Sequence, residues 1–176
     1  MRRRPAISTL SETVLTLVKD HAGWAPPIVF VLAFGESLAV ISLFLPTTVL
    51  LLGVGGIVRA AGIGLWPIWI AAVLGAVLGD AVSYWLGYYF KEEIGQVWPL
   101  SRYPTLLPRG RAFFNKWGVV GVFLGRFSGP LRSVMPLIAG ACAMPWLRFQ
   151  IGNIASGLIW ATGVLLPGSL AVRWLL

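Results

Sequence analysis

Between residues 126 and 140 the chain sets Arg126 and Arg132 around a Gly129-Pro130 break, with Pro136 just beyond, inside one of its most apolar stretches. A guanidinium at bilayer depth costs about 2.5–3.5 kcal/mol on insertion scales, so two of them require anionic partners or an anionic ligand. Two acids, Glu36 and Asp80, stand in equally apolar surroundings. A fold for this chain has to bring such charges together and satisfy the backbone freed by the helix breaks beside them.

Composition leaves one setting for that fold. Of the 176 residues, 57% are hydrophobic and 11% charged, where soluble domains run at about 45–50% apolar; mean hydropathy is +0.82. An all-α integral membrane protein is expected. The formal charge of +8 comes from basic residues at segment ends, where they meet anionic headgroups rather than nucleic acid. A lone Cys142 excludes an internal disulfide. One histidine, His21, and one cysteine make no metal site, and no cofactor is expected.

Residues 1–24 divide from the rest as a basic segment with an amphipathic helix. Thr9-Leu-Ser-Glu12 has the pattern of a capping box, and Leu10, Val14, Leu17 and Val18 share one helical face, so this helix is expected to lie on the membrane surface. No continuous apolar core of a signal peptide follows the N-terminal arginines. Residues 25–176 form a single membrane domain.

Within that domain, residues 28–58 are apolar but interrupted at Pro46. The arm 47–58 has twelve residues, where crossing the hydrocarbon core takes about 20. A re-entrant hairpin with its tip at Leu45-Pro46-Thr47 is favoured over one full span with an awkward return. Broken backbone at that depth needs protein or a water-filled cavity around it. Residues 65–90 are long enough to cross, with Trp66 and Trp69 at one end and Tyr88, Tyr89 and Lys91 at the other. Gly75, Gly79, Ser83 and Gly87 form a small-residue strip along which another helix can approach closely. Residues 91–116, with five basic and two acidic side chains, read as a headgroup loop. A second hairpin is expected over 117–143, with breaks at Gly129, Pro130 and Pro136, and a final span over 146–172.

A shift of 90 positions places Gly35 on Gly125, Glu36 on Arg126 and Pro46 on Pro136. With a hairpin and then a span in each half, and one crossing between the halves, the copies are inverted, as in many transporters. Basic residues tie at six on each side of the membrane, so the clustered Arg2, Arg3 and Arg4 alone place the N-terminus in the cytoplasm.

The chemistry these residues suggest is phosphate recognition in a wet midplane cavity. Arginine's planar fork matches phosphate oxygens in a bidentate way that lysine cannot reproduce. Arg126 and Arg132 are the candidate phosphate-binding groups, Glu36 and Asp80 the candidate proton-coupling or ion-pair acids, and Thr47, Thr48, Tyr84 and Asn153 the candidate cavity lining. The plain alternatives are arginines that snorkel from an interfacial loop and acids that serve only as structural partners. Three readings stay open: a flippase or scramblase for phosphate-bearing lipids, a proton-coupled carrier of small anions or solutes, and a structural protein with no transport. An enzyme is disfavoured, since one peripheral histidine supplies no nucleophile or general base for phosphatase chemistry. An oligomer is allowed.

Phe34-Gly-Glu36, Leu45-Pro46, Gly79-Asp80 with Tyr84 and Gly87, Gly125-Arg126-Phe127 with Arg132, Pro136 and Ala139-Gly140, and then Met144-Pro145 and Arg148-Phe149 resemble the DedA family of bacterial membrane proteins, which carries the VTT domain. The resemblance covers roughly residues 25–172, and its arginine motif is the most specific part. It implies a bacterial inner-membrane protein with two opposed re-entrant hairpins packed on crossing helices. It also implies lipid movement across the bilayer, of undecaprenyl phosphate or phosphatidylethanolamine. By motif, Glu36 matches the family's first membrane acid, and Arg126 and Arg132 its two functional arginines. Two departures stand out. Where many members carry an acid just after the hairpin proline, this chain reads Pro46-Thr47-Thr48, which leaves Asp80 as the second acid. The usual Arg-Phe-x-Pro is here Arg126-Phe-Ser-Gly-Pro130.

Overall fold

The computed structural model describes residues 22–38, 64–91, 93–96, 105–129 and 132–175, with positions 51, 55, 56, 62 and 101. Five α-helices carry the described chain: α1 Ala25–Ser37, α2 Leu65–Phe90, α3 Leu106–Gly125, α4 Val134–Ala141 and α5 Trp146–Leu175, with 3-10 turns at Ala22–Trp24 and Glu93–Gln96. Among the described residues there is no strand. The expected surface helix before residue 22, and Pro46, Thr47, Thr48 and Pro130, lie outside the described residues.

Two of these helices are long and apolar enough to cross a membrane, α2 over its whole length and α5 over Trp146–Pro167. At about 1.5 Å per residue, the 26 residues of α2 reach about 39 Å, and the 13 of α1 about 20 Å, against a core of about 30 Å. Leu74, Leu78 and Val82 on α2, and Ile151, Ile154 and Ile159 on α5, are exposed, as lipid-facing side chains should be. α5 continues past Pro167 to Leu175, beyond the expected end at 172. A proline inside a membrane helix is tolerated when its neighbours satisfy the freed carbonyl.

Helix directions follow from residue contacts. Trp69 donates its indole N–H to Thr162 at 3.0 Å, Asn153 donates to the Val77 carbonyl at 3.1 Å, and the Tyr84 and Phe149 rings stack at 4.5 Å. The partner number falls as α2 advances, so α2 and α5 are antiparallel. α1 runs parallel to α2: Gly75 lies against Phe30 and Gly79 against Phe34, and Ser83 donates to the Ser37 carbonyl at 3.1 Å.

The small-residue strip is what permits these approaches. A Cβ on Gly79 would lie 2.6 Å from the Phe34 carbonyl oxygen and 2.7 Å from Ser37 Cβ, closer than any side chain can sit. Farther along α2, Gly87 meets Leu137 of α4, and Gly140 of α4 meets Tyr84 in return. The first half of α2 therefore grips α1 and its second half grips α4. Asp80 stands at the changeover. Apolar clusters fill each side, one around Val29, Ile68, Ala72 and Leu165, the other around Tyr84, Leu137, Ile138 and Phe149.

α3 corrects the expectation of a loop through residue 116. It begins at Leu106 because Leu107, Gly110 and Phe114 recur at helical spacing toward the core while Arg109, Arg111 and Lys116 stay exposed. These three charges belong to the exposed surface of a helix, not to a loop. Gly118, with φ +48° and ψ −123°, interrupts the helical geometry, a conformation open to glycine and costly to residues with a Cβ. The break falls one residue after the expected start of the hairpin at 117. Past it, Gly125 packs on Met135, while Gly110 packs on Ile138, so α3 and α4 run antiparallel. Pro136 is the third residue of α4 and does not break it, because the first turn of a helix has no use for that N–H. Between the helices, Gly129 takes φ +64° instead.

Candidate functional site

Three helix ends and one helix middle converge. Glu36 lies in the last turn of α1, Asp80 near the middle of α2, Arg126 directly after α3, and Arg132 just before α4. The structure pairs them crosswise: Arg126 with Asp80, and Arg132 with Glu36. Each guanidinium thus comes from the α3–α4 turn and each carboxylate from a different helix. All four charges are drawn from water, so each pair holds only because the opposite charge is present.

Neutral side chains complete the arrangement. Arg126 Nε donates to Ser156 Oγ at 3.0 Å, and its Nη2 donates to Asn153 Oδ1 at 2.7 Å. Arg132 lies over the ring of Trp160, with its guanidinium carbon 5.4 Å from the ring centroid. The cavity between the pairs is lined by Glu36, Ser37, Asp80, Arg126, Arg132, Ser133 and Trp160 and measures about 10 Å³, close to what one water needs. As it stands, the space holds no phosphate group. An arriving anion has to take the place of a carboxylate.

Of the candidate lining residues, Asn153 is brought to the site through Arg126, and Tyr84 is not. The Tyr84 hydroxyl donates to the Met144 carbonyl, and its ring packs among Phe149, Trp146 and Tyr88. It fastens the α4–α5 turn, where Ala143 takes φ +52°. Thr47 and Thr48 lie outside the described residues. Ser37, Ser133, Ser156 and Trp160 belong to the site without having been singled out. Two of the serines adjoin a charge in sequence, Ser37 beside Glu36 and Ser133 beside Arg132, while Ser156 and Trp160 stand one and two helical turns after Asn153 on α5. Among the described residues no three His, Cys, Asp or Glu side chains gather as a metal site would need.

Buried arginines answered by acids from two other helices, on a scaffold of two spans, are a constellation that sequence comparison can test. A VTT domain matches residues 45–170, a stretch that contains Asp80, Arg126 and Arg132. The chain belongs to the VTT-domain, DedA-type family of membrane proteins. The chain is 35% identical over 143 residues to the inner membrane protein YabI of Escherichia coli (strain K12), covering 81% of this chain and 56% of that protein. It is 34% identical over 162 residues to an uncharacterized membrane protein of Mycobacterium tuberculosis (strain ATCC 25618 / H37Rv), covering 85% and 74%. It is 28% identical over 148 residues to the protein DedA of Escherichia coli, covering 82% and 67%. The chain thus spans little more than half the length of the curated relative YabI. No solved structure matches it. Membership in this VTT-domain family makes it a membrane protein.

Proposed function

We propose that this protein moves phosphate-bearing lipids between the leaflets of a bacterial inner membrane, with no chemical change to the lipid. The observation that carries the reading is the meeting of two arginines and two acids around one small cavity at mid-height on α2. Two shorter observations support it. α1 runs alongside the first half of α2 and stops at the level of Asp80. The α3–α4 pair reaches the same level from the far end of α2, where Gly87 meets Leu137. On this reading they are the ingoing arms of two opposed re-entrant hairpins in inverted repeats, and the N-terminus faces the cytoplasm.

The ligand-free site is internally neutral, two cations against two anions. A phosphate headgroup offers the arginines the same planar pair of oxygens that a carboxylate does. It can displace an acid that has taken up a proton, so transport can be linked to a proton without a nucleotide-driven step. The departing lipid leaves the arginine to recapture its carboxylate. The cavity resets.

The test is reconstitution into liposomes, with leaflet exchange of a short-chain polyprenyl phosphate and of labelled phosphatidylethanolamine measured in parallel. Faster exchange of the polyprenyl phosphate than in protein-free liposomes is expected. Background rates for both lipids reject the proposal.

A further inference from the structure

The two guanidiniums are held unequally. Arg126 donates to Asp80, Asn153 and Ser156, all on the two spans, and its side chain is 8% exposed. Those acceptors are themselves tied, Asn153 to the Val77 carbonyl at 3.1 Å and Ser156 to the Asn153 carbonyl at 3.0 Å. Gly157 of α5 also lies beside this guanidinium, which a Cβ there would meet at an ordinary contact distance of 3.9 Å. Arg132 pairs with Glu36 and rests on the Trp160 ring, and its side chain is 21% exposed.

We propose that Arg132 alone exchanges its carboxylate for the phosphate, that Arg126 stays with Asp80 throughout, and that the Trp160 ring holds the Arg132 guanidinium in the cavity during the exchange. This rests on the phosphate-lipid reading above. Freeing Arg126 would break three hydrogen bonds and strand a buried charge, which is strongly unfavourable. Freeing Arg132 from Glu36 breaks one pair, and its attraction to the ring persists because a π face attracts a cation whatever the carboxylate does. Without the ring, a long arginine side chain released from its acid would be drawn toward water. Trp160 is thus a positioning residue, acting on the phosphate through Arg132.

The experiment follows exchange of short-chain polyprenyl phosphate in liposomes as its concentration is raised, with folded protein matched between variants. Trp160→Leu is expected to raise the half-saturating concentration about tenfold, the size of one cation–π contact, with the maximal rate near the parental value. Trp160→Phe, which keeps a π face, is expected to restore most of the affinity. Arg132→Lys should shift half-saturation more than Arg126→Lys, and Arg126→Lys should lower the melting temperature more. Parental half-saturation in folded Trp160→Leu rejects the platform. If that variant does not fold, Trp160→Met, which also lacks a π face, decides in its place: a raised half-saturating concentration supports the proposal and a parental one rejects it. Absence of saturable exchange in the parent overturns the phosphate reading and this inference with it, whereas saturable parental exchange with an indifferent Trp160 overturns the inference alone.

Discussion

Asn153 Oδ1 accepts from Arg126 at 2.7 Å while Asn153 Nδ2 donates to the Val77 carbonyl at 3.1 Å, so one amide joins the arginine turn to both spans. Asn153→Leu removes an acceptor from a buried guanidinium and the bond that ties α5 to the Val77 carbonyl of α2. A loss of about 1–3 kcal/mol is expected for such a site, read as a lower melting temperature in detergent. A melting temperature equal to the parent's would make Asn153 dispensable to the fold.

Asp80→Ala should be among the more destabilising single changes in the chain, at about 3–5 kcal/mol, because it leaves Arg126 buried and uncompensated. Removing both partners in Asp80→Ala/Arg126→Met should recover much of that loss. The check is a double-mutant cycle on thermal unfolding, and simple additivity of the two single losses would show that the pair is not coupled.

Glu36→Gln addresses the proton. If release of Arg132 requires a neutral Glu36, parental exchange rises as pH falls, and the glutamine variant, neutral at every pH, loses that slope. The measurement is lipid exchange in liposomes from pH 5 to about 8, a span that covers ordinary proton coupling. A variant whose pH profile still tracks the parent's would leave Glu36 a structural partner only.

Gly140→Val should prevent α4 from docking, since any Cβ there collides with the Tyr84 backbone. Gly163→Ala is the matched control on α5, where nothing lies within 4 Å of the added carbon, and it should be neutral or stabilising by about 0.5–1 kcal/mol. Yields of monodisperse protein after detergent extraction separate the two.

Single cysteines at Lys116 and Arg148, in a Cys142→Ser background, should label from one face of the membrane, and a cysteine at Trp66 from the other. Lys116 lies in α3 just before its Gly118 interruption and Arg148 follows α4, so this tests whether the chain returns to the face it left. Labelling of Lys116 and Arg148 from opposite faces would require that segment to cross.

The spans were legible because length and unbroken hydropathy carry them: residues 65–90 coincide with α2, and residue 146 with the start of α5. The importance of Glu36, Asp80, Arg126 and Arg132 was legible for a related reason, since charge in an apolar segment demands a partner. Their crosswise matching was not. Which acid meets which arginine depends on how far α1 and α3 penetrate, and that is set by glycine contacts between helices far apart in sequence. The start of α3 was obscured because prolines and basic residues at 99–116 dominate the composition, while the apolar face of Leu107 and Phe114 emerges only at a helical period. Tyr84 was drawn toward the cavity by its neighbour Asp80, although its hydroxyl satisfies a turn carbonyl instead.

Gly118 and Tyr84 stand at opposite ends of the arginine-bearing turn's support. The ingoing helix is interrupted at Gly118, with nothing within 4 Å of where a side chain would be. The outgoing side is fastened by Tyr84 at Met144 and by Gly140 against α2. Any displacement of Arg126 and Arg132 therefore has one compliant limb and one fixed limb, and it takes the form of a swing about the α4 anchorage. A translation of the whole turn would have to break the closest glycine-mediated helix contact among the described residues.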